Sequence, residues 1–311
     1  MMKYQPLGKT DVMISAVTHG CMELGGGKWF TAEKEHNIAL LRTAFDHGIT
    51  TFDTAEGYGA GRSEEIVGEA LKGMRDRCVI CTKVLPEHLH AKDVRTSCEG
   101  SLRRLGTDYI DLLYIHWPNS DIPLEETLGE MDRLREEGKI RAIGVSNFNL
   151  PLMQKALSIT RIDALQPEFN LLERRIQMTG VLRFCSRNEI SVLSYNSIAK
   201  GILSGAFHFY GARLDESDFR NQKPLFSPEN MEIERPLLEL LAKLAAQYNV
   251  SISRISIAWV LAQKGISSAI VGTQNEKHFL DNLGAVDVEL SAEDLEALTA
   301  QSEEILPQLV M

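Results

Sequence analysis

Alternating strand and helix signals predict a (β/α)8 barrel for this 311-residue chain. Three observations carry the prediction. Short runs, apolar at nearly every residue, recur along the chain, as parallel strands covered on both faces require. Amphipathic segments lie between them. No Gly-x-Gly-x-x-Gly turn follows any strand, so the doubly wound open sheet lacks its phosphate-binding signature. Gly57-Tyr58-Gly59-Ala60-Gly61 is glycine-rich at a different spacing.

The elements follow in order. A first strand is predicted over residues 14–18 and a helix over 32–47, where Ile38, Leu41 and Phe45 share a face before His47-Gly48 ends it. Strands at 50–54 and 78–83 precede a helix at 94–105. Strand 110–117 leads to helix 124–137, which stops at Glu137-Gly138. Strand 142–147, helix 150–160, strand 164–169, helix 175–188 and strand 190–196 continue the rhythm, and an eighth strand spans 268–273. The acidic stretch 291–304 reads as an amphipathic helix with Leu295, Leu298 and Ile305 inward. Two long loops interrupt: Met22 to Phe30, and residues 205–228. In a barrel both would leave the catalytic rim, where long loops shape binding sites. With no internal repeat or linker, residues 1–311 read as one domain.

Composition bounds the function. Apolar content of 44% and charged content of 24% are those of a globular protein. A net charge of −10 argues against nucleic-acid or anionic-membrane partners, which call for a basic face. No apolar stretch reaches membrane-span length and none near Met1 resembles a signal peptide, so a cytoplasmic protein is expected. Cys21, Cys78, Cys81, Cys98 and Cys185 are scattered, as free thiols in a reducing compartment would be. Cys78 and Cys81 form a C-x-x-C inside a strand, where residues three apart face opposite ways, so a shared metal is not expected.

The chemistry gathers at strand ends. Asp53, Lys83 and His116 each close an apolar run, and Tyr58 follows Asp53. Strand ends of a parallel barrel converge on one rim. A tyrosine titrates near pH 10, and a neighbouring ammonium favours its phenolate. Lys83 can supply that charge, Asp53 can hold Lys83, and His116 can donate a hydrogen bond to a carbonyl oxygen. The set would polarise an aldehyde or ketone and protonate the nascent alkoxide. The hydride must come from elsewhere, ordinarily a nicotinamide. A Schiff-base lysine at Lys83 is the rival chemistry, but an imine needs a neutral amine, which Asp53 disfavours. Trp29 and Trp117 fall on rim loops, as a flat wall for substrate or as ordinary packing. His19 could reach the site from the first strand or sit in the core.

Asp53-Thr54-Ala55-Glu56-Gly57-Tyr58-Gly59, Cys81-Thr82-Lys83, Tyr114-Ile115-His116-Trp117-Pro118 and Gly144-Val145-Ser146-Asn147-Phe148 resemble the signature segments of the aldo-keto reductases. The likeness runs from Leu7 to about Leu298. Gly61-Arg62-Ser63-Glu64-Glu65 and Gln166-Pro167-Glu168-Phe169-Asn170-Leu171-Leu172 resemble the bacterial branch with inositol-operon and sugar-related reductases. The resemblance implies Tyr58 as general acid in reduction and base in oxidation, tuned by Lys83 and Asp53, with His116 orienting the carbonyl. It implies that Ser146, Asn147 and Gln166 hold the nicotinamide carboxamide and Tyr195 stacks on its ring. Residues 196–205, including Asn196, Ser197, Ile198, Gly201, Leu203 and Gly205, would cover the pyrophosphate. Gly272, Thr273, Gln274, His278, Asp281 and Asn282 would surround the adenosine end, and the first strand's end at Gly20, Cys21 and Met22 would also border the coenzyme. No metal is implied.

Departures from the family pattern bear on the coenzyme. Tyr195-Asn196-Ser197-Ile198 stands where Ser-Pro-Leu usually follows the stacking aromatic. Ala206 replaces a common lysine, and Gln274 replaces the arginine or serine that grips the 2′-phosphate of NADP. Glutamine carries no charge, whereas an arginine fork is the strong phosphate clamp. NADP(H) is therefore the family default and NAD(H) the alternative, with Lys277, Arg213 or Arg220 as substitute cations. The expected partner is a small carbonyl or alcohol. Sugars, cyclic polyols, small aldehydes and aromatic ketones stay open, as do direction and oligomeric state. An NAD-linked polyol dehydrogenase and a non-catalytic regulatory barrel are the alternatives to a reductase.

Overall fold

The computed structural model describes residues 1–26 and 32–310. Strands β1 (Tyr4–Pro6) and β2 (Met13–Ser15) pair antiparallel as a hairpin. Eight further strands close into a parallel barrel: β3 (Val17–Gly20), β4 (Thr51–Asp53), β5 (Val79–Val84), β6 (Ile110–Ile115), β7 (Ile140–Ser146), β8 (Ala164–Gln166), β9 (Ser191–Ser194) and β10 (Ser268–Val271). Each pairs with the next in sequence, and β10 returns to β3. This is the predicted (β/α)8 architecture.

The strand pleat sorts side chains into two cores. Ile80, Leu113, Ile115, Ile143, Val145, Leu165 and Val192 face the helices. Val79, Cys81, Leu112, Tyr114, Ala142, Ala164, Leu193 and Ile270 fill the barrel interior. Cys78 belongs to the outer cluster and Cys81 to the inner one, the opposite facing expected of that pair.

The first predicted strand divides in two. Residues 14–18 contribute to both β2 and β3, and the break falls at Ala16. Its N–H donates to Lys3 O at 2.9 Å in the hairpin, while its carbonyl accepts from Ala269 at 3.0 Å in the barrel. No glycine or proline marks this change of partner. The hairpin, unassigned from sequence, plugs the barrel floor: Leu7, Val12 and Ile14 are buried with the inner cluster. Its turn needs Gly8, at φ +53°, where a Cβ would lie 2.5 Å from Asp163 O.

Helices Lys34–Asp46, Ala91–Leu105, Leu124–Glu136, Leu150–Ile159 and Ala292–Ile305 lie where expected. The segment predicted as helix 175–188 splits into Arg175–Met178 and Val181–Arg187, because Gly180 takes φ +81°. Arg62–Ala70, Pro228–Tyr248, Ile252–Ala262 and Glu276–Leu283 are helices without a sequence assignment. Among the described residues no helix is long and apolar enough to cross a membrane.

Helix Pro228–Tyr248 carries an unusual pair. His208 Nε2 donates to Met231 O at 3.1 Å and lies 3.6 Å from Glu234 Oε2. Both Glu234 oxygens and His208 Nδ1 are buried without hydrogen bonds among the described residues. Burial pushes the Glu234 carboxyl up to about 8. A carboxyl raised in the folded state favours folding when protonated, so stability is full below the unfolded value of ~4.5 and falls as pH rises toward 8. Glu234→Gln is expected to remove an alkaline loss on the order of 3 kcal/mol, read from thermal unfolding at pH 5 and pH 9. An unchanged pH dependence would refute the assignment to Glu234.

Candidate active site

Asp53 ends β4, Lys83 lies near the end of β5, His116 follows β6, and Tyr58 sits in the loop after β4. The barrel's shared strand direction brings all four to the C-terminal rim. Lys83 Nζ donates to Asp53 Oδ1 at 2.6 Å, to Thr54 O at 2.7 Å and to Tyr58 Oη at 3.3 Å. The Tyr58 and His116 rings meet edge to face with centroids 5.7 Å apart.

Electrostatics assign each group a charge state. Burial opposes a charged Lys83, but Asp53 and Tyr58 outweigh it and hold the ammonium above its ordinary value. Burial, then the Lys83 charge, pushes His116 down to about 3, so its imidazole is neutral. Its Nδ1 is buried with no partner among the described residues. Tyr58 departs from expectation. Lys83 lowers its pKa as anticipated, but burial is the larger effect and the phenol ends above its ordinary value. The sequence supplied the cation and could not supply the depth of burial.

A polar chain extends from Asp53 across the rim. Gln166 Nε2 donates to Asp53 Oδ2 at 2.7 Å, and Ser146 Oγ donates to Gln166 O at 2.8 Å. Asn147 Nδ2 donates to Ser146 Oγ at 2.9 Å, and Tyr195 Oη donates to Asn147 Oδ1 at 2.8 Å. The residues that the resemblance grouped at the nicotinamide are thus hydrogen-bonded to one another and to Asp53.

Two glycines position the Tyr58 loop. A Cβ on Gly59, at φ +62°, would stand 2.1 Å from Gly25 O, and one on Gly25 would stand 2.7 Å from Gly59 N. The first and second βα loops therefore touch backbone to backbone. Gly59→Ala is expected to cost about 2 kcal/mol or more of stability and to displace Tyr58. Thermal unfolding and turnover should fall together; normal values for both would refute the contact.

A cavity of about 970 Å³ continues the rim, beginning at Met22, Glu23 and Asn196. Ser197, Ile198, Gly201, Gly272, Thr273, Gln274, His278, Asp281 and Asn282 also line it. Gly20, Cys21, Leu203 and Gly205 do not: Cys21 and Leu203 are buried in the outer core, behind the wall. Asp281 is ion-paired to Arg254 at 3.0 Å. Trp117 is half exposed on the rim. Trp29 lies outside the described residues. His19 packs on Phe52 and Phe279 in the outer core, where burial pushes it down to about 4. Of the proposed substitute cations, Lys277 and Arg220 line the cavity and Arg213 does not. The Arg220 guanidinium is already clasped by Asp218 at 2.6–3.1 Å.

The wall suits an extended dinucleotide. Its volume leaves room for one, its glycines allow close approach, and Ser197 offers a buried hydroxyl with no partner among the described residues. Glu23, Lys200, Phe207, Tyr210 and Asp218, also in this wall, lie in the three stretches that the sequence marked as rim loops without being singled out there, and His36 was passed over.

Comparisons with known proteins agree with this geometry. The Aldo/keto reductase family profile matches residues 16–303. The chain is 36% identical over 287 residues to aldo-keto reductase YhdN of Bacillus subtilis, covering 88% of this chain and 85% of that one. It is 31% identical to an NADH-specific methylglyoxal reductase of Escherichia coli, covering 97% and 99% of the two chains. Among solved structures, glycerol dehydrogenase AKR11B4 of Gluconobacter oxydans superposes with a TM-score of 0.88 at 29% identity, covering 99% and 97%. An aldo-keto reductase of Klebsiella pneumoniae in complex with NADPH gives 0.78 at 31%, covering 100% and 99%.

Proposed function

We infer, from the premise that this chain belongs to the aldo/keto reductase family, that Tyr58 moves the proton in its NAD(P)-dependent interconversion of carbonyl and alcohol. One observation carries the reading: the Lys83 ammonium sits between the Asp53 carboxylate at 2.6 Å and the Tyr58 hydroxyl at 3.3 Å.

The nicotinamide supplies hydride in one direction and accepts it in the other. Tyr58, with its phenol above the ordinary value, is protonated at neutral pH and donates its proton to the carbonyl oxygen in reduction. Lys83 stabilises the phenolate left behind, and Asp53 keeps Lys83 charged. Neutral His116 hydrogen-bonds the carbonyl oxygen and orients it rather than protonating it. Ser146, Asn147 and Gln166 would hold the carboxamide, and Tyr195 would stack on the ring. Residues 1–311 act as one catalytic domain.

NAD(H) is the coenzyme better supported. Ala206 and Gln274 present no cation and Arg220 is neutralised by Asp218, which leaves Lys277, on the cavity wall, as the substitute cation of the three named. The Gln274 amide nitrogen is already committed, its Nε2 donating to Glu23 O at 3.2 Å and to Asn37 Oδ1 at 3.3 Å. The NADH-specific relative agrees with this; the NADPH-bound neighbour represents the family default. Small oxo-aldehydes, in the reductive direction, and small polyols, in the oxidative one, are the substrates of choice, since relatives carry those activities in their names. Loss of reduced-nicotinamide absorbance with methylglyoxal and related aldehydes, or its gain with glycerol, tests the reading. Silence across both panels would overturn it.

A further inference from the structure

The long loop over residues 205–228 meets the outer helices at one buried polar point. Its short helix Ala206–Phe209 presents Phe207 to the cavity, and Tyr210, just after it, lines the same wall. His208, between them, is not in that wall. Its side chain is fully buried against helix Pro228–Tyr248, 3.6 Å from the equally buried Glu234 carboxyl. Among the described residues neither Glu234 oxygen has a hydrogen bond, so this carboxyl is tolerable neutral and costly charged. Gly205 at φ +76° and Gly211 at φ +67° bracket the segment and leave both its ends free to rotate. The charged groups around the pair are engaged elsewhere. Glu232 and Arg235, on the same helix, act on His208 in opposite senses and pair with each other at 2.8 Å. The preceding segment Ala199–Ser204 sends Lys200 to Glu168. Of the helices packed alongside, Ile252–Ala262 sends Arg254 to Asp281, and Ala292–Ile305 sends Asp294 to Tyr248 and Glu303 to Arg174. Burial alone acts on Glu234.

We propose that His208 and Glu234 form a proton-operated latch on residues 206–211: this flap stays against helix Pro228–Tyr248 while Glu234 holds its proton, and swings off as the proton leaves, opening the wall at Phe207 and Tyr210. The consequence for the coenzyme rests on the reading of that wall given above. Closed, the flap keeps water from the carboxyl, which burial raises from 4.5 to about 8. Ionised in place, the carboxylate would face an imidazole that burial holds below its ordinary value, and so neutral. Opened, it meets water and ionises in the usual carboxylate range. Between the two values the open form binds one proton fewer than the closed form. By linkage its population rises about tenfold per pH unit across that interval, then levels. The latch therefore responds across neutral pH, where an ordinary carboxyl is already fully ionised.

Hydrogen exchange of the coenzyme-free protein between pH 6 and pH 9, corrected for the pH dependence of chemical exchange, reads the flap directly. The reporters are the amides of Phe209, Tyr210 and Ala212, which bond to Gly205 O and Ala206 O. In wild type their opening is expected to rise about tenfold per pH unit from pH 6 to pH 7.5 and to level above about pH 8.5. Glu234→Gln should abolish the slope, while Glu232→Gln, at the neighbouring acid, should keep it. A flat wild-type profile, or a slope that survives Glu234→Gln, overturns the proposal. Stopped-flow release of NADH and of NADPH, followed by nicotinamide fluorescence, then tests the gate. Release should quicken with pH in wild type and not in Glu234→Gln. Release that ignores pH while the amides open overturns the gate and leaves the coenzyme reading standing. If neither coenzyme binds at any pH, the coenzyme reading falls, and the amides alone still decide the latch.

Discussion

Replacing Tyr58 with phenylalanine is expected to reduce turnover by about 10³-fold or more, the scale of losing a positioned general acid. Coenzyme affinity should change by no more than about twofold, because the wall residues from Asn196 to Asn282 are untouched. The two readouts must separate; a parallel loss of binding would mark Tyr58 as structural. The wild-type pH profile carries a further prediction. Burial holds the phenol above its ordinary value, so reduction should be level through neutral pH and decline only as pH rises past that raised value. Oxidation needs the phenolate and should climb over the same alkaline range. A reduction rate that falls between pH 6 and pH 8 would refute this charge assignment.

Lys83→Met is expected to harm stability and chemistry together. Lys83 is buried and neutralises Asp53, which is also buried. Removing the cation leaves the carboxylate with the Gln166 amide alone, at about 3–5 kcal/mol for a buried charge stripped of its partner. The midpoint of denaturant unfolding should fall accordingly. Adding Asp53→Asn to Lys83→Met should restore most of that stability, since no charge is left behind, while turnover remains as low as in the single variant. A double variant no more stable than Lys83→Met would mean that the loss comes from packing rather than charge.

The fold was legible because a parallel barrel writes itself in simple terms. Runs such as Ile110-Asp111-Leu112-Leu113-Tyr114-Ile115 are apolar on both faces, and the polar residue that ends each run is the one delivered to the rim. The first strand was not legible. Met13 to Thr18 is one continuous β-type segment, and only the change of pairing partner at Ala16 divides it, a tertiary event with no local mark. The split at Gly180 was written in a glycine, but the apolar spacing on either side outweighed it. In the site, the identity of the four rim residues could be read, and their distances follow from strand register. Burial could not be read, and burial reversed the direction of Tyr58. Glu23 could be read only as part of a long rim loop, for a related reason: in sequence it is one acid in a glycine-rich stretch, and only the fold lays it on Gly272, some 250 residues away.

The hairpin of β1 and β2 has a consequence for traffic. With Leu7, Val12 and Ile14 corking its floor, the barrel is closed at the end opposite the rim. Asp53 and Lys83, buried inside it, are therefore approached from the side where Tyr58 stands, the side that coenzyme and substrate would share.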